Sequence, residues 1–200
     1  NNQLLADYWS KDTAIHAFFD YAYNNEAFVA RAAYLKNRHY RTKELAHIIR
    51  DYMQPFGIST QTENHLQQLE QGALVVVGGQ QAGLLTGPLY SVHKAISVIL
   101  LAKEKRAQLS TDVVPMFWIA GEDHDIEEIN HTYTIVDAQV KKRGYSERSK
   151  LKTMASTTEL NQEALTQFIK TTFKDFGETE YTESLLESVL AHASESTTFT

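Results

Sequence analysis

Cysteine is absent from this 200-residue sequence. Its absence excludes disulfides, thiolate metal sites and a cysteine nucleophile supplied by the chain; any reacting thiol belongs to a substrate or a partner. Proline occurs three times and glycine nine, so the sequence is neither an extended proline-rich chain nor a glycine linker. No apolar run approaches the roughly 20 residues that a membrane-spanning helix needs, and Asn1-Asn2-Gln3 lacks the basic-then-apolar layout of a signal peptide. A soluble, cytoplasmic protein with no membrane partner is expected. Positive charge is also in deficit: 19 Lys and Arg stand against 25 Asp and Glu, a net charge of -6. That balance repels a phosphate backbone and argues against nucleic acid as a partner. The local exception is the basic stretch of Lys141, Lys142, Arg143, Arg148, Lys150 and Lys152, which reads as a solvated loop or a subsite for an anionic small molecule.

What is present fits a globular α/β chain. Hydrophobic residues make up 42% and charged residues 22%, ordinary values for a chain of a length that buries a real core. The first residue is not methionine, and the closing segment, residues 194–200, offers neither a helix cap nor an obvious anchor. The sequence reads as a piece of a longer protein. About three strand signals agree with an incomplete sheet.

From Leu4 to about Met53 the pattern is helical. It is clearest where Thr42 is placed to cap a segment with Leu45, Ile48, Ile49, Tyr52 and Met53 at spacings of three and four, before Gln54-Pro55 stops it. Thr60 and Glu63 are spaced as a capping box for a helix carrying Leu66 and Leu69, with Gly72 at its C-terminal turn. Ala73 to Val77 is a continuous apolar run, expected as a strand buried on both faces. It leads into Gly78-Gly79-Gln80-Gln81-Ala82-Gly83-Leu84-Leu85-Thr86-Gly87. Pro88 then suits the start of a helix whose apolar stripe is Leu89, Val92, Ile96, Ile99 and Leu100. A second apolar run, Val113 to Ala120, ends at Gly121-Glu122-Asp123-His124-Asp125. Strand, helix, strand is a βαβ unit, so the two strands run parallel and end at one edge. A third β-rich run covers Tyr133 to Val140. Thr157 or Thr158 is expected to cap a helix with Leu165, Phe168, Ile169, Phe173 and Phe176, ended by Gly177. A last helix carries Leu185, Leu186, Val189 and Leu190. Residues 1–72 thus read as an N-terminal helical segment packed on the core, and 73–200 as the first part of a Rossmann-like core.

Ligands of open α/β sheets bind beyond the carboxyl ends of the strands, where helix N-termini attract anions. Both unusual motifs lie there. Gly79, Gly83 and Gly87 let the backbone approach a ligand, the turn amides and the Thr86 hydroxyl can cradle a phosphate or carboxylate, and Gln80 and Gln81 add neutral donors and acceptors. The letters match neither a dinucleotide fingerprint nor a P-loop. Tyr90 and Lys94 are one helical turn apart with His93 beside them, placing a cation and an acid/base group near the glycine turn. Glu122, Asp123, His124 and Asp125 crowd titratable groups at a strand end, where acid/base work or binding of a substrate ammonium is expected. Capping of the next turn by Glu122 and Asp125 is the plain alternative. No metal site is expected, because three adjacent residues rarely point at one ion. Trp118 is a core residue or a wall of a small pocket.

At these residues the sequence closely resembles the cysteine-adding enzymes of bacillithiol biosynthesis. The likeness lies in Val76 to Tyr90, in His93-Lys94, in Pro115 to Asp125 and in Glu128-Ile129-Asn130, and extends more loosely over the whole chain. The resemblance implies a Rossmann-like, nucleotidyltransferase-like parallel sheet, incomplete here, with the C-terminal remainder and a dimerising coiled coil outside this chain. It also implies a ligase that joins the cysteine carboxyl to the amine of glucosaminyl-malate as the last step to bacillithiol. Cysteine and glucosaminyl-malate would be its small-molecule substrates, and the full-length family a homodimer. The activating cosubstrate is not named by the resemblance; ATP or another nucleotide is the candidate. The H-x-G-H motif of related synthetases is missing, and Gly79-Gln80-Gln81 stands in the comparable place. On this reading Asp123, His124, Asp125 and His93 are the catalytic candidates. The substrate- and anion-binding candidates are Gly79, Gln80, Gln81, Gly83, Thr86, Gly87, Tyr90, Lys94, Trp118, Glu122 and Asn130. A non-catalytic nucleotide- or anion-binding module is the alternative.

Overall fold

The computed structural model describes residues 2–10, 12–145 and 153–200. Arg148, Lys150 and Lys152 of the basic stretch lie outside them. By its internal contacts the chain divides into two compact units, one of Asn1–Val76 and Val98–Met116, the other of Val77–Ser97 and Phe117–Thr200. Among the described residues no helix is long and apolar enough to cross a membrane.

In the first unit, α1 (Gln3–Trp9) and α2 (Thr13–His16) are short, and Asp12 caps α2 by accepting from the Ala14 and Ile15 amides. Tyr8 stacks on His16 at 5.0 Å and packs against Phe19 at 4.6 Å. Next come α3 (Asn25–Lys36), α4 (Thr42–Met53) and α5 (Thr60–Glu70). The small core of this unit is Ala46, Leu66 and Leu69, with Ile49, Val75 and Met116 against it. Arg50 of α4 reaches α5, donating to both Glu63 oxygens at 3.0 Å and pairing with Glu70 at 2.8 Å.

Two capping expectations fail for one reason: the true cap lies one residue earlier. Thr42 is the first helical residue after an N-cap Arg41 that makes no side-chain cap bond. Ser59, not Thr60, caps α5 by accepting from the Thr62 amide, which leaves Glu63 free to bind Arg50. The apolar stripe of α4 is also out of phase with its burial. Leu45, Ile48 and Tyr52 are exposed while Ala46 is fully buried.

β1 (Leu74–Gln81), α6 (Leu89–Leu109) and β2 (Val113–Ala120) form the expected strand–helix–strand unit, with β1 hydrogen-bonded beside a parallel β2. This is the Rossmann-like α/β core of the sequence reading. β1 departs from expectation in length and burial. It continues through Gly78 to Gln81, and Val77 is exposed rather than buried on both faces. α6 departs likewise: Leu89, Val92, Ile96, Ile99 and Leu100 are exposed, and its buried residues are Ser91, Val98, Ala102 and Lys105. The helical period is kept, but the face covered by neighbours is a different one. Lys105, 2% exposed, donates to Asn25 and Glu104 at 2.7 Å and to Gln108 at 2.9 Å, and stands 4.3 Å over the Phe28 ring. A buried ammonium with this many partners is a structural tie between α6 and the start of α3.

In the second unit the run expected as one strand from Tyr133 to Val140 is a hairpin. β3 (His131–Val136) pairs antiparallel with β4 (Gln139–Gly144), and Asp137 and Ala138 both take left-handed φ in the two-residue turn. That geometry suits the twist of a hairpin. Thr134 and Arg143 share a face of this hairpin with Lys141 and turn it toward α8 (Gln162–Phe176). Asn161, rather than Thr157 or Thr158, caps α8 by accepting from the Ala164 amide. Gly177 ends it with φ +77, and α9 (Thr182–Glu195) packs Leu186, Val189 and Leu190 against the core. The core itself gathers Ala82, Leu84, Ile129, Tyr145, Leu165, Phe168, Ile169 and Phe199. The closing segment is therefore anchored, contrary to expectation. Phe199 is 7% exposed and meets Tyr145 edge-on, and Leu160 donates its amide to the Thr197 carbonyl. A lone aromatic in a polar segment carries no periodic signal that would reveal this.

Asp175 joins hairpin and helix. It accepts from the Thr134 hydroxyl at 2.6 Å and from two nitrogens of Arg143. Arg143 first, then Thr134, hold its carboxyl down from 3.8 to about 2. A depressed carboxylate contributes stability that is present above its unfolded pKa and is lost as pH falls through its folded one. We expect stability to fall between about pH 4 and pH 2 partly through this group, and Asp175→Asn to be less stable at neutral pH while losing that part of the acid dependence. Urea denaturation across this pH range is the check.

Candidate active site

All groups of the site belong to the second unit. The last residues of β1 alternate in direction, as strand residues must. Gly79 lies against β2, where a Cβ would come within 3.0 Å of the Trp118 carbonyl oxygen, so its place is close strand pairing. Gln80 accepts from the Lys94 ammonium at 2.7 Å, and that ammonium stands 5.6 Å from the Tyr90 ring centre. Gln81 donates from its amide nitrogen to Asp123 at 2.6 Å and to Glu128 at 3.2 Å.

Between strand and helix the chain makes a constrained turn. Leu84–Thr86 is a single 3-10 turn, after which Gly87 has φ 70 and ψ -159. Leu85 and Thr86 also have positive φ, at 53 and 71. Leucine and especially β-branched threonine rarely adopt such values, and the cost is borne where a site needs the shape. A Cβ on Gly83 would lie 2.9 Å from the Gly87 Cα, so the two glycines let the turn close on itself.

Gln80, Gln81, Gly83, Gly87, Pro88, Tyr90, Glu128 and His131 line a pocket of about 70 Å³. That volume admits a carboxylate or phosphate group and is far below the roughly 300 Å³ or more of a site that encloses a whole small ligand. Of the lining residues, Gln80 binds the Lys94 ammonium and Gln81 binds Asp123 and Glu128; Lys94 and Asp123 themselves stand behind the lining. Asp123 also accepts from the Asp125 amide at 3.0 Å. The Gln81 amide, then this backbone N–H, hold its carboxyl below the usual carboxylate range. Asp123 is thus a fixed anion and a weakened base.

The structure brings together Gln80, Gln81, Gly83, Gly87, Tyr90, Lys94 and Asp123. Thr86 sits exposed on the turn. Glu122, His124 and Asp125 are exposed beside Asp123, and Asp125 occupies the N-cap of α7 (Ile126–Ile129) without a side-chain cap bond. Asn130 lies 3.4 Å from His131 through side-chain atoms. His93 is exposed on α6 and outside the pocket lining, and Trp118 is 57% exposed on β2. Sequence reasoning passed over Glu128 and His131 as site residues. The signal was available for Glu128, five residues beyond Asp123 and within a matched string. Among the described residues no three His, Asp or Glu side chains cluster to hold a metal.

A family profile described as the N-terminal Rossmann-like domain of bacillithiol biosynthesis BshC matches residues 1–200. The chain belongs to this family. Similar proteins named "Putative cysteine ligase BshC" occur in Lysinibacillus sphaericus, 61% identical over 199 residues, and in Bacillus cytotoxicus, 42% identical over 197. A third, from Bacillus licheniformis, is 41% identical over 199 residues. These alignments cover 98% to 100% of this chain but 37% of each relative. The chain spans little more than a third of the length of the curated relatives it matches.

Because a methyl group at Gly83 must push against Gly87 backbone, Gly83→Ala is expected to open the turn and destabilise the protein by about 1–3 kcal/mol. The check is chemical denaturation of the variant beside Gly72→Ala, where a Cβ meets nothing within 4 Å and only the left-handed φ of +88 is strained. Gly83 is extended at φ -177, a conformation open to alanine, so its loss reports the clash with Gly87 alone, and an unchanged stability in Gly83→Ala would contradict the close approach.

Proposed function

We propose that the full-length protein is a cysteine ligase that joins the carboxyl of cysteine to the amine of glucosaminyl-malate, completing bacillithiol. The observation that carries this reading is the Gln81 bridge to Asp123 and Glu128, beside a neighbouring Gln80 that binds the Lys94 ammonium, both glutamines lining one small pocket. The names of the relatives support a ligase of cysteine within bacillithiol biosynthesis. In this reading the Lys94 side and the turn amides hold a carboxylate of the malate group, since a cation and free helix N–H groups favour an anion there. Asp123 and Glu128 face the ammonium or amine of a substrate.

Amide formation requires the amine nitrogen to attack an activated cysteine carboxyl carbon. The C–N bond forms, the bond to the activating group breaks, and the nitrogen gives up a proton. A nucleotide such as ATP would supply the activation, but the pocket of this chain takes an anionic group rather than a whole nucleotide. Asp123, held ionised by Gln81, suits charge binding better than proton removal. In this reading His124 or Asp125, exposed at the same strand end, takes the proton. Trp118, Glu122, Asn130 and His93 then serve the rim rather than the reacting atoms.

The test is bacillithiol formation by the full-length protein from cysteine, glucosaminyl-malate and ATP. Loss of the base lowers turnover by about 10² to 10⁴, so His124→Gln or Asp125→Asn should show such a loss with an unchanged melting temperature. Lys94→Ala should instead raise KM for glucosaminyl-malate. Absence of any product from the wild-type protein with every nucleotide tried, while it still binds malate, would leave an anion-binding module in place of the ligase.

A further inference from the structure

Beneath the glycine turn lies a polar group that the proposed reaction does not use. Ser91 is 8% exposed, and its hydroxyl oxygen is buried without a hydrogen-bond partner among the described residues. It sits in the first turn of α6, a helix of 21 residues, with its amide bound to the Pro88 carbonyl at 2.8 Å. A serine there commonly returns its hydroxyl to a carbonyl one turn back. Here it does not. The hydroxyl instead faces Gly87, 3.5 Å from the point where a Gly87 Cβ would stand, and Gly87 lines the pocket. The oxygen thus stands beside a residue that lines the pocket.

That backbone is the strained part of the turn. Leu85, Thr86 and Gly87 take positive φ in succession, a conformation held against its intrinsic preference. Two costs, an unpaired buried hydroxyl and a run of left-handed residues, meet at one point beside the N-terminus of α6. Such coincidences belong to sites that are completed by a ligand.

We propose that Ser91 is a ligand-binding residue of this pocket: when an anionic carboxylate or phosphate group enters, the Leu85–Gly87 turn shifts and the Ser91 hydroxyl donates to it. The ligand then joins the free amides at the start of α6 and the Lys94 ammonium with a third, neutral donor. The shift relieves left-handed backbone as it satisfies the hydroxyl, so ligand binding and turn conformation are linked. This rests on the anion-binding reading of the pocket given above.

The experiment is calorimetric titration of the full-length protein with inorganic phosphate and with L-malate, beside thermal melting without ligand. Removing an unpaired buried hydroxyl should not destabilise the free protein, so Ser91→Ala is expected to melt at or above the wild-type temperature. It should nonetheless bind both anions about tenfold more weakly, the loss of one hydrogen bond to a charged group. Ser91→Cys, nearly the same size but a poor donor, should lose affinity in the same way, which assigns the effect to the hydroxyl rather than to packing. Wild-type affinity in Ser91→Ala would overturn the role of Ser91 and leave the anion pocket intact. Failure of the wild-type protein to bind either anion, or an affinity unaffected by Lys94→Ala and Ser91→Ala alike, would overturn the anion reading and this inference together.

Discussion

The amide nitrogen of Gln81 bonds two carboxylates, Asp123 at 2.6 Å and Glu128 at 3.2 Å, and the rest of the site depends on it. One neutral donor at the end of β1 gathers two anions from the segment after β2. Without it, two like charges would stand side by side at a strand edge and repel. With it, Asp123 is fixed as a carboxylate, and a second bond from the Asp125 amide sets its orientation. The parallel pairing of β1 with β2 supplies the proximity; the glutamine converts proximity into a shared site.

The neighbouring Gln80 has a similar logic with the sign reversed. Lys94 lies one turn into α6, where a cation opposes the helix dipole. Its ammonium is held by the Gln80 carbonyl oxygen and by the Tyr90 ring, both neutral, so its charge is left for a ligand. Adjacent glutamines on one strand thus handle opposite charges on their two sides. Gly79 contributes by letting β2 come close, and Gly83 and Gly87 by letting the turn fold back over the start of α6.

Much of this was legible in the sequence. The apolar runs bounded by glycine and acidic clusters mark both strands, and the βαβ rule puts Gln80, Gln81 and Asp123 at one edge. Resemblance over long strings identified the family. What stayed hidden was everything decided by which neighbour covers which face. The stripe of Leu89, Val92, Ile96, Ile99 and Leu100 has a good helical period, yet α6 buries Ser91, Val98, Ala102 and Lys105 instead. Periodicity gives a phase, not a partner. Caps slipped by one residue or more at α4, α5 and α8: Ser59 and Asn161, near Thr60 and Thr158, do that work in their place, while Arg41 precedes Thr42 without any side-chain cap bond. The hairpin was missed because Asp137-Ala138 is a weak signal for a turn that needs two left-handed residues. Ser91 and Phe199 were invisible for a simpler reason, since a single buried residue leaves no pattern.

The organisation of the site requires Gln81 and Asp123 to act as one unit. A double-mutant cycle on the full-length protein measures this directly, with Gln81→Leu, Asp123→Asn and the pair compared by kcat/KM for glucosaminyl-malate and by thermal melting. If the bridge organises the site, the double variant should lose little more activity than the worse single variant, because either change already breaks the shared arrangement. Losses that multiply independently, with all three proteins equally folded, would contradict it.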